Sequence, residues 1–178
     1  MWRYGGVYHD MDVEAFAPVF AWAPDRACNL VLHGEGFKRQ IAQYVFAASP
    51  RHPLLASMLA DIEMLMMQHR VPMHPTDEDV VNFAGPPRFT AHVFKWLDKA
   101  CGLSAPKQVL ACVREDCPAR EQWLHAHRAA LQACGVCFTD FRRSWGLLVN
   151  HSCAANGWYC AEAQGGSWRA QTKQATYA

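Results

Sequence analysis

Residues 4–16 read YGGVYHDMDVEAF. A glycine pair, Gly5 and Gly6, opens the stretch, and two carboxylates, Asp10 and Asp12, follow a short strand-like run. Alternation of faces along a strand places Tyr8, Asp10 and Asp12 on one side and His9 and Met11 on the other. Like charges on one face at a strand's end repel unless something neutralises them. A hard divalent cation, Mn²⁺ or Mg²⁺, does this through oxygen ligands and keeps positions open for substrate phosphates. A solvated turn is the other reading of so short a motif. Glycines permit close backbone approach to a ligand, and the carboxyl ends of strands are where α/β sheets bind ligands.

Outward from this stretch, short apolar runs alternate with amphipathic ones, the pattern of an α/β fold. Strands are predicted at residues 5–10, 29–34 (NLVLHG), 43–49 (QYVFAAS), 108–113 (QVLACV) and 145–150 (WGLLVN). In the helix predicted from Pro53, residues Leu54, Leu55, Met58, Leu59, Ile62, Leu65 and Met66 recur at helical spacing and are read as a core face. Pro53 suits its first turn. Two more helices are predicted over 89–102 and 119–135, closed by Gly102 and Gly135. Asp77, Glu78 and Asp79 read as a charged loop and helix start. Residues 169–178 read as a polar, frayed tail.

The 178-residue chain is 51% hydrophobic and 19% charged, a globular profile with enough length for a core. A net charge of +1 gives no reason to expect a nucleic-acid partner. The most apolar stretch, AFAPVFAWAP, is short and carries two prolines, so it does not read as a membrane span. The amino terminus lacks the order of a signal peptide.

Eight cysteines are many for a cytosolic protein of this size, and the even count suits a disulfide-permissive lumen. Cys112, Cys117, Cys134 and Cys137 also form a loose four-thiol set for zinc, although CVREDC is wider than the usual two-residue gap. Disulfides, buried thiols and zinc all remain open as readings. A protein whose purpose is this cluster would be a non-catalytic, cysteine-stabilised interaction module.

YGGVYxDxDVE as a whole resembles the sugar-binding region of DxD-motif glycosyltransferases. The family in question includes the α-1,6-mannosyltransferases, the inositol-phosphoceramide mannosyltransferases and capsular sugar transferases. YVFAASPRHPLLASMLADI (44–62) looks like its strand, His-Pro turn and helix. FAGPPRFTAHVFKWL (83–97) looks like its Gly-Pro turn and helix start, with Ala84 where the family usually has Thr. NHSCAANGWYCAEAQGGSWR (150–169) offers a late His151 and then Ser167-Trp168, with Trp158 as a rival for the motif tryptophan. The likeness covers about residues 2–168, and residues 1–168 are read as one partial glycosyltransferase domain.

The resemblance implies a GT-A-type, Rossmann-like mixed sheet flanked by helices. It also implies retaining transfer of a hexose, most plausibly mannose, from a nucleotide-diphosphate sugar to a glycan or glycolipid acceptor. By likeness Asp12 binds Mn²⁺ or Mg²⁺. Asp10 contacts the sugar-nucleotide, or the metal through water. Tyr4, Gly5 and Gly6 shape the donor pocket. His151 is a third metal ligand or a diphosphate contact, and Ser167 and Trp168 close over the diphosphate. The family's first strands, and the Golgi anchor of many members, lie upstream of the position matched by Met1. The expectation is therefore a fragment of a secretory-lumen enzyme, lacking its opening strands and weakly active or inactive by itself.

Overall fold

The computed structural model describes residues 1–10, 13–15, 28–35, 40–68, 76–111, 117–139 and 159–161. The chain is mixed α/β, with a small, largely antiparallel sheet and helices packed on it. In chain order the strands are β1 (Gly6–His9), β2 (Val13–Ala15), β3 (Leu30–Glu35), β4 (Gln40–Ile41) and β5 (Val45–Ala48). Helices α1 (Pro53–Met67), α2 (Asp77–Ala84), α3 (Pro86–Cys101), α4 (Lys107–Leu110), α5 (Pro118–Ala126) and α6 (Arg128–Ala133) follow, then β6 (Val136–Thr139) and β7 (Tyr159–Ala161).

The main sheet runs β1-β5-β3-β4, with β6 on the other side of β3. β5 is antiparallel to both β1 (Gly6↔Ala48, His9↔Val45) and β3 (Leu30↔Ala48). β6 is parallel to β3, with Leu30↔Val136 and His33↔Thr139. It follows that β1, β3 and β6 all point the same way, so their carboxyl ends lie along one edge of the sheet. β3 is central, and Leu30, Val31, Leu32 and His33 are all buried, which explains its unbroken apolar run. β1 is an edge strand in the described sheet and is mostly exposed.

The core joins both layers. Leu30, Leu32, Ile41 and Phe46 of the sheet region pack with Leu54 of α1 and with Phe89, Val93, Phe94 and Leu97 of α3. Burying one such side chain stabilises the fold by about 1.5–3 kcal/mol. The α3 residues recur at helical spacing, so a single face of that helix covers the sheet. Prolines occupy its first turn, and Gly102 terminates it at φ 64 in the left-handed region. Across the sheet–helix seam the Ile41 amide donates to Thr90 Oγ1 at 2.9 Å.

The predicted strands at β1, β3 and β5 and the helices at α1 and α3 are present. Elsewhere the structure differs from expectation. Only Leu54 and Leu55 of α1 are fully buried, whereas Leu59, Met64, Met66 and Met67 are exposed. The expected core face is therefore fully buried only in the first turn and continues as the partly buried Met58, Ile62 and Leu65. Further along, the contact with α3 is polar: Asp61 accepts from Arg88 Nε at 3.0 Å and also pairs with Arg88 Nη2 and His92 Nε2.

Residues 108–110, expected to open a strand, form the helical turn α4 instead. Pro106 precedes that turn, and its carbonyl accepts from the amides of Val109 and Leu110. Short apolar runs do not distinguish the two states. The helix expected over 119–135 breaks at His127. There the ring Nδ1 donates to the Trp123 carbonyl at 2.8 Å and the imidazole stacks on the Trp123 indole. The strand expected at 145–150 and the tail at 169–178 lie outside the described residues.

Candidate functional site

The amino-terminal half of the proposed site is well placed by its strand. Asp10 leaves β1 at its carboxyl end, where its amide donates to the Tyr44 carbonyl at 2.9 Å and continues the β1–β5 ladder. Tyr8 and Asp10 share a face, as alternation requires: the Tyr8 hydroxyl donates to Asp10 Oδ1 at 2.6 Å. The His9 ring turns to the main chain instead, its Nδ1 lying 2.9 Å from the Asp10 carbonyl oxygen. The tyrosine hydroxyl thus holds the carboxylate in one orientation. Among the described residues Oδ2 has no hydrogen-bond partner. A hard carboxylate oxygen, half-exposed at the strand end, is a suitable donor for Mn²⁺ or Mg²⁺.

Asp12, the other half of the motif, lies outside the described residues, as do His151, Trp158, Ser167 and Trp168. β2 and β7 form a separate antiparallel pair. Val13, which directly follows Asp12, is registered with Ala161, and Ala15 with Tyr159, which directly follows Trp158. The backbone at Val13–Ala15 is therefore joined to that at Tyr159–Ala161. Among the described residues no group of three or more His, Cys, Asp or Glu side chains is arranged to hold a metal ion.

By the resemblance Tyr4, Gly5 and Gly6 shape the donor pocket. They lie at the start of β1, and Asp10 follows its carboxyl end. Gly5, at φ 68, packs directly on the backbone of Ala48 and Pro50, and its amide donates to the Met1 carbonyl at 2.7 Å. Its smallness serves an internal contact with the turn between β5 and α1. Gly6 also has a positive φ, 106, with open space where a side chain would stand. Tyr4 is 76% exposed and lies beside the Arg3 guanidinium. Next to this contact Arg51, the only described non-glycine residue with positive φ (56), donates its amide to the Trp2 carbonyl.

The cysteines resolve part of the open question. Cys28 is bonded to Cys137, and Cys101 to Cys134. Cys117 is disulfide-bonded as well. Cys134 and Cys137 are thus each paired outside the four-thiol set considered for zinc, and that set does not form. The signal missed in the sequence is that CGVC straddles a helix end and a strand start, so its two sulfurs face different elements. Cys134 caps α6 and reaches α3, whereas Cys137 lies in β6 and reaches the residues before β3.

Two features were not anticipated. One is the Asp61–Arg88–His92 clasp. Burial raises the Asp61 pKa, but the hydrogen bonds and charges of Arg88 and His92 outweigh it and hold this carboxyl below its ordinary value. The other is Arg120, 2% exposed, whose Nη2 donates to the Val109 carbonyl at 3.2 Å. Among the described residues no helix is long and apolar enough to cross a membrane. Comparison with family models, with curated proteins and with solved structures finds no match to this chain.

Proposed function

We propose that the chain carries part of a metal-dependent, retaining glycosyltransferase of GT-A type. It would move a hexose, most plausibly mannose, from a nucleotide-diphosphate sugar to a glycan or glycolipid acceptor. The observation that carries this reading is the Tyr8–Asp10 arrangement: a carboxylate held by a neighbouring hydroxyl at the carboxyl end of an exposed strand, with a second acid two residues on. The β2–β7 pairing supports it, because it links Val13–Ala15, just after that second acid, to Tyr159–Ala161. Asp10, Asp12 and His151 would hold the ion. When bound, Mn²⁺ or Mg²⁺ would supply Lewis-acid neutralisation of the diphosphate leaving group. The chain's own contribution at Asp10 is orientation: Tyr8 fixes Oδ1 and leaves Oδ2 for the ligand. The disulfides support a secretory-pathway lumen, where such bonds persist.

The test is Mn²⁺ titration of the full chain and of Asp10→Ala and Asp12→Ala, read by isothermal calorimetry, together with Mn²⁺-dependent turnover of GDP-mannose and UDP-hexoses. Binding that is lost in both variants supports the reading, and binding unchanged in both overturns it. A second reading, a non-catalytic module held by its disulfides, is favoured by the Cys28–Cys137 and Cys101–Cys134 bonds. It predicts no Mn²⁺ binding and a fold that depends on oxidation.

A further inference from the structure

A cavity of about 350 Å³ opens between α3 and the α4–α5 segment, and none of the residues that line it belongs to the stretch from Tyr4 to Asp10. Its volume lies within the range of small-molecule sites, about 300–1,000 Å³. Pro87, Ala91 and Phe94 line it from α3, where their spacing puts them on one stripe of the helix. Ala105 and Leu110 line it from the segment that follows. Phe94 is buried and closes the floor. Alanine at positions 91 and 105 leaves room that larger side chains would fill.

This lining rewards an apolar body and gives an ion no site. Leu110 is 46% exposed at the mouth, so a ligand that covers it removes apolar surface from water. The rim charges cancel: Lys95 and Asp98, one cation and one carboxylate, stand three residues apart on α3. Arg120, the other charged lining group, is engaged within the chain. It donates to the Val109 carbonyl at 3.2 Å, lies over the Phe94 ring and makes a further interaction. A carboxylate or ammonium entering the cavity would give up its hydration for a rim of no net charge, and burying an unpaired charge is costly. A neutral polar end, by contrast, meets the Ser104 hydroxyl and bulk water.

We propose that this cavity binds a small neutral amphiphile of the aliphatic-alcohol class. Its apolar body lies against Ala91, Phe94 and Leu110, and its uncharged polar end sits at the Ser104 rim. The site is independent of the Asp10 motif and of the transferase reading.

The experiment is calorimetric titration of the full, oxidised chain with 1-hexanol and, separately, with hexanoate and hexylammonium. Hexanol binds saturably. Both ions keep the apolar body but add a charge, and they bind at least about tenfold more weakly, as the cost of desolvating an unpaired ion requires. Two variants locate the site. Ala91→Trp fills the cavity and abolishes hexanol binding, and Leu110→Ser removes its apolar mouth and weakens binding. Both replaced side chains are exposed, so both variants keep the fold. The proposal is overturned if hexanol does not bind saturably, if either ion binds as tightly, or if Ala91→Trp binds hexanol like the parent chain.

Discussion

A Cβ built on Gly5 would stand 2.7 Å from the backbone nitrogen of Pro50 and 2.8 Å from the Ala48 carbonyl oxygen. Real Cβ atoms do not approach backbone so closely, and the φ of 68 at Gly5 is one that only glycine adopts freely. The contact ties the start of β1 to the turn that leads into α1. Gly5→Ala is therefore expected to destabilise the chain by about 1–3 kcal/mol through backbone displacement and strain. Gly6→Ala, strained in φ but with open space around it, costs less. Urea unfolding of the two variants checks the order, and equal losses would contradict it.

Asp10 invites a pair of substitutions. Tyr8→Phe removes the hydroxyl from Oδ1 but leaves the carboxylate, whereas Asp10→Asn removes the charge. If the acid is a metal ligand, Asp10→Asn abolishes Mn²⁺ affinity. Tyr8→Phe weakens it by up to about tenfold, the worth of one hydrogen bond to a charged group. Both variants should keep the parent's thermal stability within a few degrees, because the pair is exposed on an edge strand.

Acidification should destabilise the protein through its buried histidines. Burial lowers the His33 pKa from 6.5 to about 3, and burial lowers that of His52 as well. Because the unfolded chain takes up the proton first, the neutral folded form has its full advantage above pH 6.5. That advantage is lost as pH falls from there toward 3. One such histidine adds a slope of at most about 1.4 kcal/mol per pH unit in this window. Unfolding free energies measured at pH 7.5, 6 and 5 should fall in that order, and His33→Leu should show a shallower fall. An unchanged slope in His33→Leu would refute the assignment.

The clasp between α1 and α3 has its own window. The Asp61 pKa is depressed, so its contribution is complete above the ordinary carboxylate value of 3.8 and is lost as pH drops through the lower folded value. Both partners are partly exposed, so Asp61→Asn is expected to cost only about 1 kcal/mol at pH 7. The gap between variant and parent should narrow as pH falls below 3.8. Guanidinium chloride would screen the pair, so urea is the denaturant of choice.

The disulfides should carry a larger share of the stability. Cys28–Cys137 closes a separation of 109 residues and Cys101–Cys134 one of 33. Both pin the edge around β6, the first alongside β3 and the second by joining the end of α6 to that of α3. Each double replacement, Cys28→Ala with Cys137→Ala or Cys101→Ala with Cys134→Ala, is expected to cost about 2–5 kcal/mol, the longer loop more. Denaturation of the oxidised chain with and without reductant gives the combined effect. Insensitivity to reductant would show that the bonds do not support the fold.

Much of the fold was legible where its causes are local. Pro53 announces the start of α1 and Gly102 the end of α3, while α3 begins at Pro86, three residues before the predicted start at Phe89. Alternation in GVYH puts Tyr8 and Asp10 together, and the apolar run of LVLH marks a strand buried on both faces. These signals depend on steric rules that act within a few residues. The sequence by itself thus determined the main helices, three of the strands and the shared face of Tyr8 and Asp10.

Tertiary structure decided the rest, because the deciding partners are distant in the chain. Nothing in VCFT foretells that it pairs in parallel with β3, a choice made by the apolar edge that β3 offers. Only that docking brings Cys137 to Cys28 and Cys134 to Cys101, and so separates two cysteines that look like a pair in CGVC. The glycine at position 5 looks ligand-directed in sequence, yet the return of β5 brings Pro50 against it. The break at His127 follows from an imidazole finding the Trp123 carbonyl and ring. Arg120 is buried by Phe94 of α3 and Val109 of α4, both distant from it in the chain. In each case the local code permits several outcomes, and burial against a remote element selects one.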